Sequence, residues 1–573
     1  MPGNGMSGTQ ELFCKGGKFD KDSRTVSLSA GETASFETYF NLLSLKTYRK
    51  YYGTERVKLN LSAEGEYVIN FYERKGNGAE KLLSSHNCNG NCSLPLAPFG
   101  KVEGYIYFTL GAKSNCKIYG GSWEDERAEE KDVRIAVIIC TYRREKFVED
   151  NLSRVAAAIK AEPEWLDRIH FIVVDNARSL GTPAGDFYEI VPNRNLGGSG
   201  GFARGIYEAE RQNKYTHYLL TDDDIRFDFS VLKRTWRLLC ALTPEHSEAA
   251  VGGAMLVLER PVIQYEFGGK YDGLRFKLIN SGLDMRETRS LMRNESAPKP
   301  DYNAWWYCCM PACAVKKHGL PMPFFIKGDD VEYGMRAAKE FILTSGIAVW
   351  HQDFAGKYTG ILEYYIKRNL AVTSALHCKA GGFRPAVRFA YFMFKNLILK
   401  NYNCVQALYE AYQDFKRGPQ FFLESDSEEV NSRIRRLAQA LSDEETVEKL
   451  CGGKPQPKMR KQGKKAEFFR CIALSVELYL PSFAFSKRVG VTDIGNPSAA
   501  DCFGKKTVVH YDRASGKGLV LQFDAGRRRV LRRAAYRVFF GLLFGYSRIK
   551  RQYRREKESM CSRENWERMF FKE

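Results

Sequence analysis

The chain has 573 residues, 44% of them hydrophobic and 27% charged, and its 88 Lys and Arg against 68 Asp and Glu give a formal net charge of +20. That balance excludes a disordered or fibrous chain, and the length predicts about three to five domains or a large enzyme with appended modules. The positive excess points to a polyanionic partner: nucleic acid, an acidic membrane surface or phosphorylated substrates.

The opening stretch MPGNGMSGTQELFCKGGKF has no apolar core behind a basic segment, so no secretory signal is expected. The longest apolar runs, such as VFFGLLFGY at 538–546, fall short of the ~18 residues that span a bilayer. Fifteen Cys, including the vicinal pair Cys308 and Cys309, do not read as a disulfide framework, so reduced thiols are expected. Cys88 and Cys92 lie in NCNGNC, which reads as a Gly/Asn turn before it reads as a zinc site, since His86 and Cys116 are irregularly spaced further candidates.

Residues 1 to about 130 read as β structure. RVKLNLS (56–62), EYVINFYE (66–73) and GYIYFTL (104–110) alternate apolar with polar residues between Gly/Asn/Ser turns, which predicts an antiparallel sandwich. A carbohydrate-binding module and a plain spacer both fit it. The charge run SWEDERAEEKD (122–132) separates it from a different rhythm: RIAVIIC (134–140), a helical stretch at 145–161, RIHFIVVDN (168–176) and HYLLTDDD (217–224). Apolar runs alternating with helices indicate an α/β domain with a buried, mostly parallel sheet, whose ligands bind beyond the carboxyl ends of the strands.

Those ends carry Thr141 to Arg144, Asp175 and Asn176, and Asp222 to Asp224. In extended backbone Asp222 and Asp224 project together and Asp223 points away. Two carboxylates on one side, with phosphate oxygens, suit Mg²⁺ or Mn²⁺, and an acidic turn is the plain alternative. NRNLGGSGGFARG (193–205) puts glycines before a helix, where backbone approaches a ligand closely, but it matches neither the Walker pattern nor a good dinucleotide fingerprint.

Further on, DYNAWWYCCMP (301–311) holds Trp305 and Trp306, which fit either sugar stacking or core. Asp329 and Asp330 open a helix. One of them suffices to cap it, with Glu332 at capping-box spacing, and the other stays available as a base. IAVWHQDF (347–354) presents His351 after a short strand, as a structural residue or a third metal ligand.

From about 370 the pattern is helical, as in AVRFAYFMFKNLILK (386–400) and EFFRCIALSVELYL (467–480), with a basic linker at 452–465. Residues 527–557 hold twelve Arg or Lys and one Glu, a net +11 that is about half of the chain's excess. With Val530, Leu531, Phe539, Phe540, Leu542, Leu543 and Phe544 among the arginines, this tail reads as an interfacial amphipathic anchor, or as an ordinary packed helix with solvated arginines.

In that order, CTYRRE, VVDN, NLGGSGGFARG, TDDD, WW, KGDDVEYGMRA and WHQDF resemble the family 2 glycosyltransferases of GT-A fold, in particular the polymerising galactofuranosyltransferases of mycobacterial galactan synthesis. The resemblance implies a multidomain α/β chain: a β-sandwich (1–130), a GT-A, Rossmann-like catalytic domain (131–370) and a helical C-terminal region (371–573) with a basic, membrane-facing tail. It implies inverting transfer from UDP-galactofuranose, with Asp222, Asp224 and His351 on a divalent metal, Mn²⁺ or Mg²⁺. Thr141, Arg144, Asp175, Arg194 and Asp223 fall on the donor side, Arg204 competing with Arg194. Asp330 corresponds to the catalytic base, and Asp329, Trp305 and Trp306 to acceptor positions. Gly328 departs from the pattern, which has Trp there.

The partners implied are a UDP-sugar donor, a glycan or glycolipid acceptor and an anionic membrane surface, with the chain cytoplasmic and peripheral at the inner face of the cell membrane; a homo-oligomer is left open. No nucleic acid is expected, because no motif is present and the acidic strand ends oppose it. The rival readings are a rhamnosyl or other hexosyl transferase and a non-catalytic scaffold binding glycan and membrane.

Overall fold

The computed structural model describes residues 8–20, 22–53, 56–96, 104–125, 131–181, 183–273, 275–353, 360–458 and 464–572. Part of the charge run (126–130), the middle of the basic linker (459–463) and Phe354 of the WHQDF motif lie outside the described residues. The chain divides into two compact units, Met1–Tyr271 with Phe276–Pro321 and Asp330–Asp353, and Asp272–Arg275 with Met322–Asp329 and Phe354–Glu573.

The first unit opens with nine strands and one helix: β1 (Lys18–Asp20), β2 (Thr25–Leu28), β3 (Thr33–Ser35), α1 (Leu45–Tyr52), β4 (Val57–Glu64), β5 (Glu66–Lys75), β6 (Glu80–Asn89), β7 (Cys92–Leu96), β8 (Gly104–Ala112) and β9 (Cys116–Asp125). They form two antiparallel sheets, ordered β1-β2-β9-β4-β7 and β3-β8-β5-β6. The two-residue alternation buries Leu59 and Leu61 from one sheet and Tyr67, Ile69, Phe71 and Phe108 from the other in one apolar core, which is the expected sandwich.

The same unit continues with β10 (Ile135–Thr141), α2 (Glu145–Ala161), β11 (Ile169–Asp175), β12 (Tyr188–Pro192), α3 (Gly197–Gln212), β13 (His217–Asp222), β14 (Ile225–Arg226), α4 (Phe229–Ala241), β15 (Ala250–Val257) and β16 (Arg260–Glu266). A small hairpin, β17 (Gly269–Tyr271) and β18 (Phe276–Leu278), precedes β19 (Leu283–Asp284), α5 (Thr288–Glu295), β20 (Cys308–Pro311), α6 (Ala312–His318), α7 (Asp329–Ala337) and β21 (Phe341–His351). The sheet order is β12-β11-β10-β13-β20-β15-β16-β19, with β21 pairing both β14 and β15. Its first four strands are parallel, as expected; beyond β13 the sheet is mixed, because β20 runs antiparallel to both neighbours.

Glycines of the NLGGSGGFARG segment serve packing. A Cβ on Gly201 would lie 2.0 Å from Cys140 Sγ, and one on Gly205 would lie 2.2 Å from Ile138 Cγ2, so α3 approaches β10 more closely than any side chain would permit.

The second unit is built on α8 (Leu362–His377), α9 (Phe383–Ile398) and α10 (Tyr402–Lys416), followed by the shorter α11 (Gln420–Glu424), α12 (Ser427–Arg435), α13 (Glu444–Cys451) and α14 (Lys464–Leu474). The expected helical C-terminal region is present, and β22 (Gly490–Asp493), α15 (Ala499–Cys502), β23 (Thr507–Tyr511) and β24 (Gly518–Gln522) add a three-stranded sheet to it before α16 (Ala525–Arg555), α17 (Lys557–Cys561) and α18 (Arg563–Phe570). A fully buried ion pair joins these parts. Lys400 Nζ lies 2.7 Å from Glu477 Oε1 and donates to the carbonyls of Ile398 and Cys502, while Glu477 Oε2 accepts from Gly504 N.

The basic helix α16 packs Leu531, Ala535, Val538, Leu542 and Tyr546 into the unit's core, yet leaves Val530, Phe540 and Phe544 exposed at 64%, 51% and 79%. Among the described residues no helix is long and apolar enough to cross a membrane.

Gly205→Ala is expected to lower stability by about 1–3 kcal/mol, since the methyl must displace Ile138 in a packed interior. Urea denaturation checks this, and an unchanged midpoint would show that α3 can shift at no cost.

Candidate active site

Strand register assembles the site. Across the parallel half of the sheet Thr141 pairs with Asp175, Asp175 with Pro192 and Cys140 with Asp222, so the carboxyl ends of four strands form one row. After β13 the chain turns, held by Asn151 of α2, whose Nδ2 donates to the carbonyls of Asp223 (3.2 Å) and Ile225 (3.1 Å). β14 then pairs antiparallel with the end of β21, setting Ile225 opposite His351.

The result brings together Asp222, Asp224 and His351, each offering one ligand atom, all within 4.8 Å of one another. Among the described residues no other group of three or more His, Cys, Asp or Glu gathers this closely, the cysteines around Cys88 included. His351 Nε2 lies 3.0 Å from Asp224 Oδ1, and its Nδ1 lies 2.6 Å from the Gln352 carbonyl, which orients the ring. Burial disfavours the imidazolium, but the Asp224 hydrogen bond and the charges of Asp224 and Asp222 outweigh it and hold His351 above its ordinary pKa. Two carboxylates and an imidazole are a donor set that a divalent cation accepts.

Asp223 does point away from that trio. Its Oδ2 accepts from Thr141 Oγ1 at 2.7 Å, and Arg144 Nη1 lies 2.8 Å from both Asp223 Oδ1 and Asp224 Oδ2. Burial raises the Asp223 pKa in spite of the Arg144 charge. The Arg144 side chain remains 43% exposed, so one arginine organises the acidic turn and still faces solvent. Arg143 beside it takes φ +55°, a left-handed conformation that costs an L-residue energy and so marks a constrained loop.

Asp175 is buried and fastens its own loop: Oδ1 accepts from Ala177 N and Oδ2 from Ser179 N and Leu180 N. Arg194 follows β12 in the adjoining loop, which is tied back by Asn193 Nδ2 donating to Asn176 Oδ1 and Asn176 Nδ2 donating to the Gly197 carbonyl. Arg204, its competitor, pairs with Glu208 one turn along α3 at 2.8 Å.

On the other side of β13, Thr221 Oγ1 donates to the Trp306 carbonyl at 2.8 Å. Trp305 and Trp306 are 5% and 7% exposed, and Trp305 meets Phe202 and Tyr333 edge-on, so in this structure both are wall rather than open platform. Asp329 is buried and begins α7; Asp330 is half-buried, and its Oδ1 accepts from Val331 N. Within α7 Glu332 binds Arg336 at 2.9 Å, and Arg336 Nη2 also donates to the Leu320 carbonyl, which fixes the helix that presents Asp330. Gly328 takes φ +86°, so the residue that stands where the family pattern has Trp sits in a conformation that glycine adopts without strain.

Glu266, at the end of β16, is the residue that sequence reasoning missed. It is 2% exposed, and burial, reinforced by the charge of Asp330, pushes its pKa up to about 8. A second carboxyl group, neutral at pH 7, therefore lies within electrostatic reach of Asp330. Its only sequence signal is the alternation of RPVIQYE, which puts Gln264 and Glu266 on the inward face with no motif to mark them.

Comparison with known proteins gives a consistent set of relatives. The family model described as Galactofuranosyltransferase 2 N-terminal matches residues 15–126. The galactofuranosyltransferase GlfT2 of Mycolicibacterium smegmatis is 25% identical over 580 residues, covering 93% of this chain and 88% of that protein. GlfT2 of Mycobacterium tuberculosis is 27% identical over 456 residues, covering 72% and 70%. Among solved structures, the mannosyltransferase PcManGT from Pyrobaculum calidifontis, in complex with GDP-Man and Mn²⁺, is 15% identical with a TM-score of 0.29, covering 44% of this chain and 66% of that one.

The raised Glu266 pKa fixes a pH dependence. Between about pH 4.5 and about pH 8 the folded chain keeps a proton that the unfolded chain has released, so stability falls as pH rises through that window, by about 1.4 kcal/mol per pH unit, and levels off above it. Glu266→Gln stays neutral, so its stability advantage over the parent should grow from about pH 5 to about pH 8. Thermal unfolding across that range checks it, and a flat difference would mean that Glu266 is ionised in the folded chain.

Proposed function

We propose that this chain, a GT-A glycosyltransferase related to the mycobacterial galactofuranosyltransferases, moves galactofuranose from UDP-galactofuranose to a hydroxyl of a lipid-linked glycan, with inversion, in cell-envelope polysaccharide synthesis. The observation that carries the reading is the Asp222, Asp224 and His351 trio at the carboxyl end of a parallel strand row. It belongs to a chain that aligns over nearly its whole length with a protein named a galactofuranosyltransferase.

Each part has a chemical task. Thr141, Arg144, Asp175, Arg194 and Asp223 form the donor side, Thr141 and Asp223 by holding Arg144 in place and Asp175 by shaping the loop that carries a nucleotide. A divalent cation on Asp222, Asp224 and His351, Mn²⁺ or Mg²⁺, would supply positive charge to the departing diphosphate. The exposed Arg144 guanidinium faces that same developing charge. Asp330 takes the proton of the acceptor hydroxyl as it attacks the anomeric carbon from the face opposite UDP. Asp329, Trp305 and Trp306 bound the acceptor. Glu266, kept protonated at pH 7 by burial and by the charge of Asp330, keeps a second negative charge away from Asp330.

The division of labour follows a sandwich module (1–130), a catalytic domain (131–370) and a C-terminal region (371–573) that meets the membrane. The exposed Val530, Phe540 and Phe544 among the arginines of α16 support peripheral attachment to an anionic membrane at its cytoplasmic face.

Asp330→Ala is expected to bind UDP-sugar like the parent and to lose about 10²–10⁴-fold in transfer, the usual worth of a general base. Near-normal turnover would overturn the assignment. EDTA should abolish transfer, with Mn²⁺ or Mg²⁺ restoring it; full activity in EDTA would count against the trio. Mass spectrometry of products from a galactofuranosyl lipid acceptor, with UDP-galactofuranose set against other nucleotide sugars, tests the donor, and exclusive use of a rhamnosyl donor would replace it.

A further inference from the structure

α10 and α16 enclose a groove of about 490 Å³ on the second unit, lined by Tyr409, Tyr412, Lys416, Tyr536, Arg537 and Phe540 among others. That volume is within the ≈300–1,000 Å³ range of small-molecule sites. The groove exists because residue 541 is glycine: a Cβ there would lie 1.9 Å from the Tyr412 hydroxyl, so only glycine lets that ring lie against α16.

The lining is one-sided in its chemistry. It offers an ammonium, a guanidinium and tyrosine hydroxyls, with the Gln413 amide donating to the Tyr409 hydroxyl and the Tyr536 hydroxyl hydrogen-bonded to that of Tyr479, and it contains no carboxylate. Among the described residues Lys416 and Arg537 have no ion-pair partner, although nearby Glu410 is engaged by Arg433. Two uncompensated cations beside hydroxyl donors form an anion site. At the rim the chemistry changes: Phe540 and Phe544, one helical turn apart, stack at 6.2 Å and are 51% and 79% exposed. Lys416 and Arg537 are exposed, so phosphate oxygens suit the open mouth of the groove, and a hydrocarbon chain suits its aromatic edge.

We propose that this groove binds the phosphate headgroup of a single lipid, gripped by Lys416 and Arg537 and flanked by the Tyr409, Tyr412 and Tyr536 rings, with the lipid's chain lying along Phe540 and Phe544. The site rests on the membrane reading above and deepens it: attachment is a defined headgroup pocket, not a diffuse basic face.

The full-length chain is sedimented with phosphatidylcholine vesicles containing phosphatidic acid, and with vesicles brought to the same surface charge by oleate. The parent should prefer the phosphate lipid. Lys416→Gln with Arg537→Gln should weaken that binding at least about tenfold more than Arg529→Gln with Arg533→Gln, which removes the same charge from exposed positions of α16 outside the groove. Equal losses in the two double variants, or equal parental binding to phosphate and oleate vesicles, would overturn the pocket while leaving membrane attachment standing. Failure of the parent to bind any anionic vesicle would overturn the membrane reading itself, and full competition by glycerol phosphate alone would replace the lipid with a soluble phosphate ester. Glycerophosphate without effect and a selective loss in the groove variant are the expected pair.

Discussion

Two rungs of antiparallel ladder, Ile225 against His351 and Arg226 against Trp350, set the geometry on which the site depends. Asp224 is the residue before Ile225, so this pairing leaves its carboxylate beside the imidazole. The ladder also closes on itself: β13 pairs with β20, β20 with β15, β15 with β21 and β21 with β14, which is the chain's own continuation from β13. A closed circuit of strand pairing cannot open at one rung without straining the others. Carboxylates that repel one another are thus held together by backbone hydrogen bonds, the preorganisation that charge-stabilising sites require.

The electrostatics run against the chain's overall sign. A molecule of net charge +20 concentrates Asp222, Asp223, Asp224 and Glu266 near its candidate chemistry, and the molecule handles the crowding in two ways. Arg144 is shared between Asp223 and Asp224, and Glu266 keeps its proton through burial. Charge is neutralised where a carboxylate must stay ionised and avoided where it need not. The basic surplus lies elsewhere, with much of it along one helix, so a net-charge argument about the whole chain describes a surface and says nothing of its site.

Much of this was legible in the sequence wherever periodicity and strand ends coincide. Two-residue alternation revealed the sandwich, and apolar runs ending in Thr141, Asp175 and Asp222 revealed the parallel strands and the side on which their polar ends gather. Alternation suggests that Asp222 and Asp224 belong together, but β13 ends at Asp222 and the next two residues form a turn, so it is the turn and the β14–β21 pairing that bring Asp224 to Asp222. His351 is legible after a short strand as a candidate metal ligand, but the pairing that carries it to the acids joins strands 126 residues apart in sequence and is not a local signal. Glu266 escaped, because it enters through burial, which no local pattern reports. The glycines of 197–205 suggested a ligand loop, yet Gly201 and Gly205 are needed for helix–strand contact. In α16 apolar residues occupy two arcs, one packed and one exposed, so amphipathy by itself did not distinguish Leu531 from Val530. The short strands at 490–522 were too brief to stand out from the helical rhythm around them.

The buried Lys400 and Glu477 pair has a consequence for how the C-terminal region can vary. Lys400 sits between α9 and α10 at φ +59°, Glu477 follows α14, and their remaining partners, the Cys502 carbonyl and Gly504 amide, adjoin the small sheet. Removing the segment that carries either ion strands the other in an apolar interior, a loss of several kcal/mol where the intact pair itself is close to neutral, and removing the segment around Cys502 and Gly504 leaves the pair short of a buried carbonyl and amide. Helices and sheet are therefore tied to one another in folding, and a chain shortened at either ion would have to give up the lysine together with its acid.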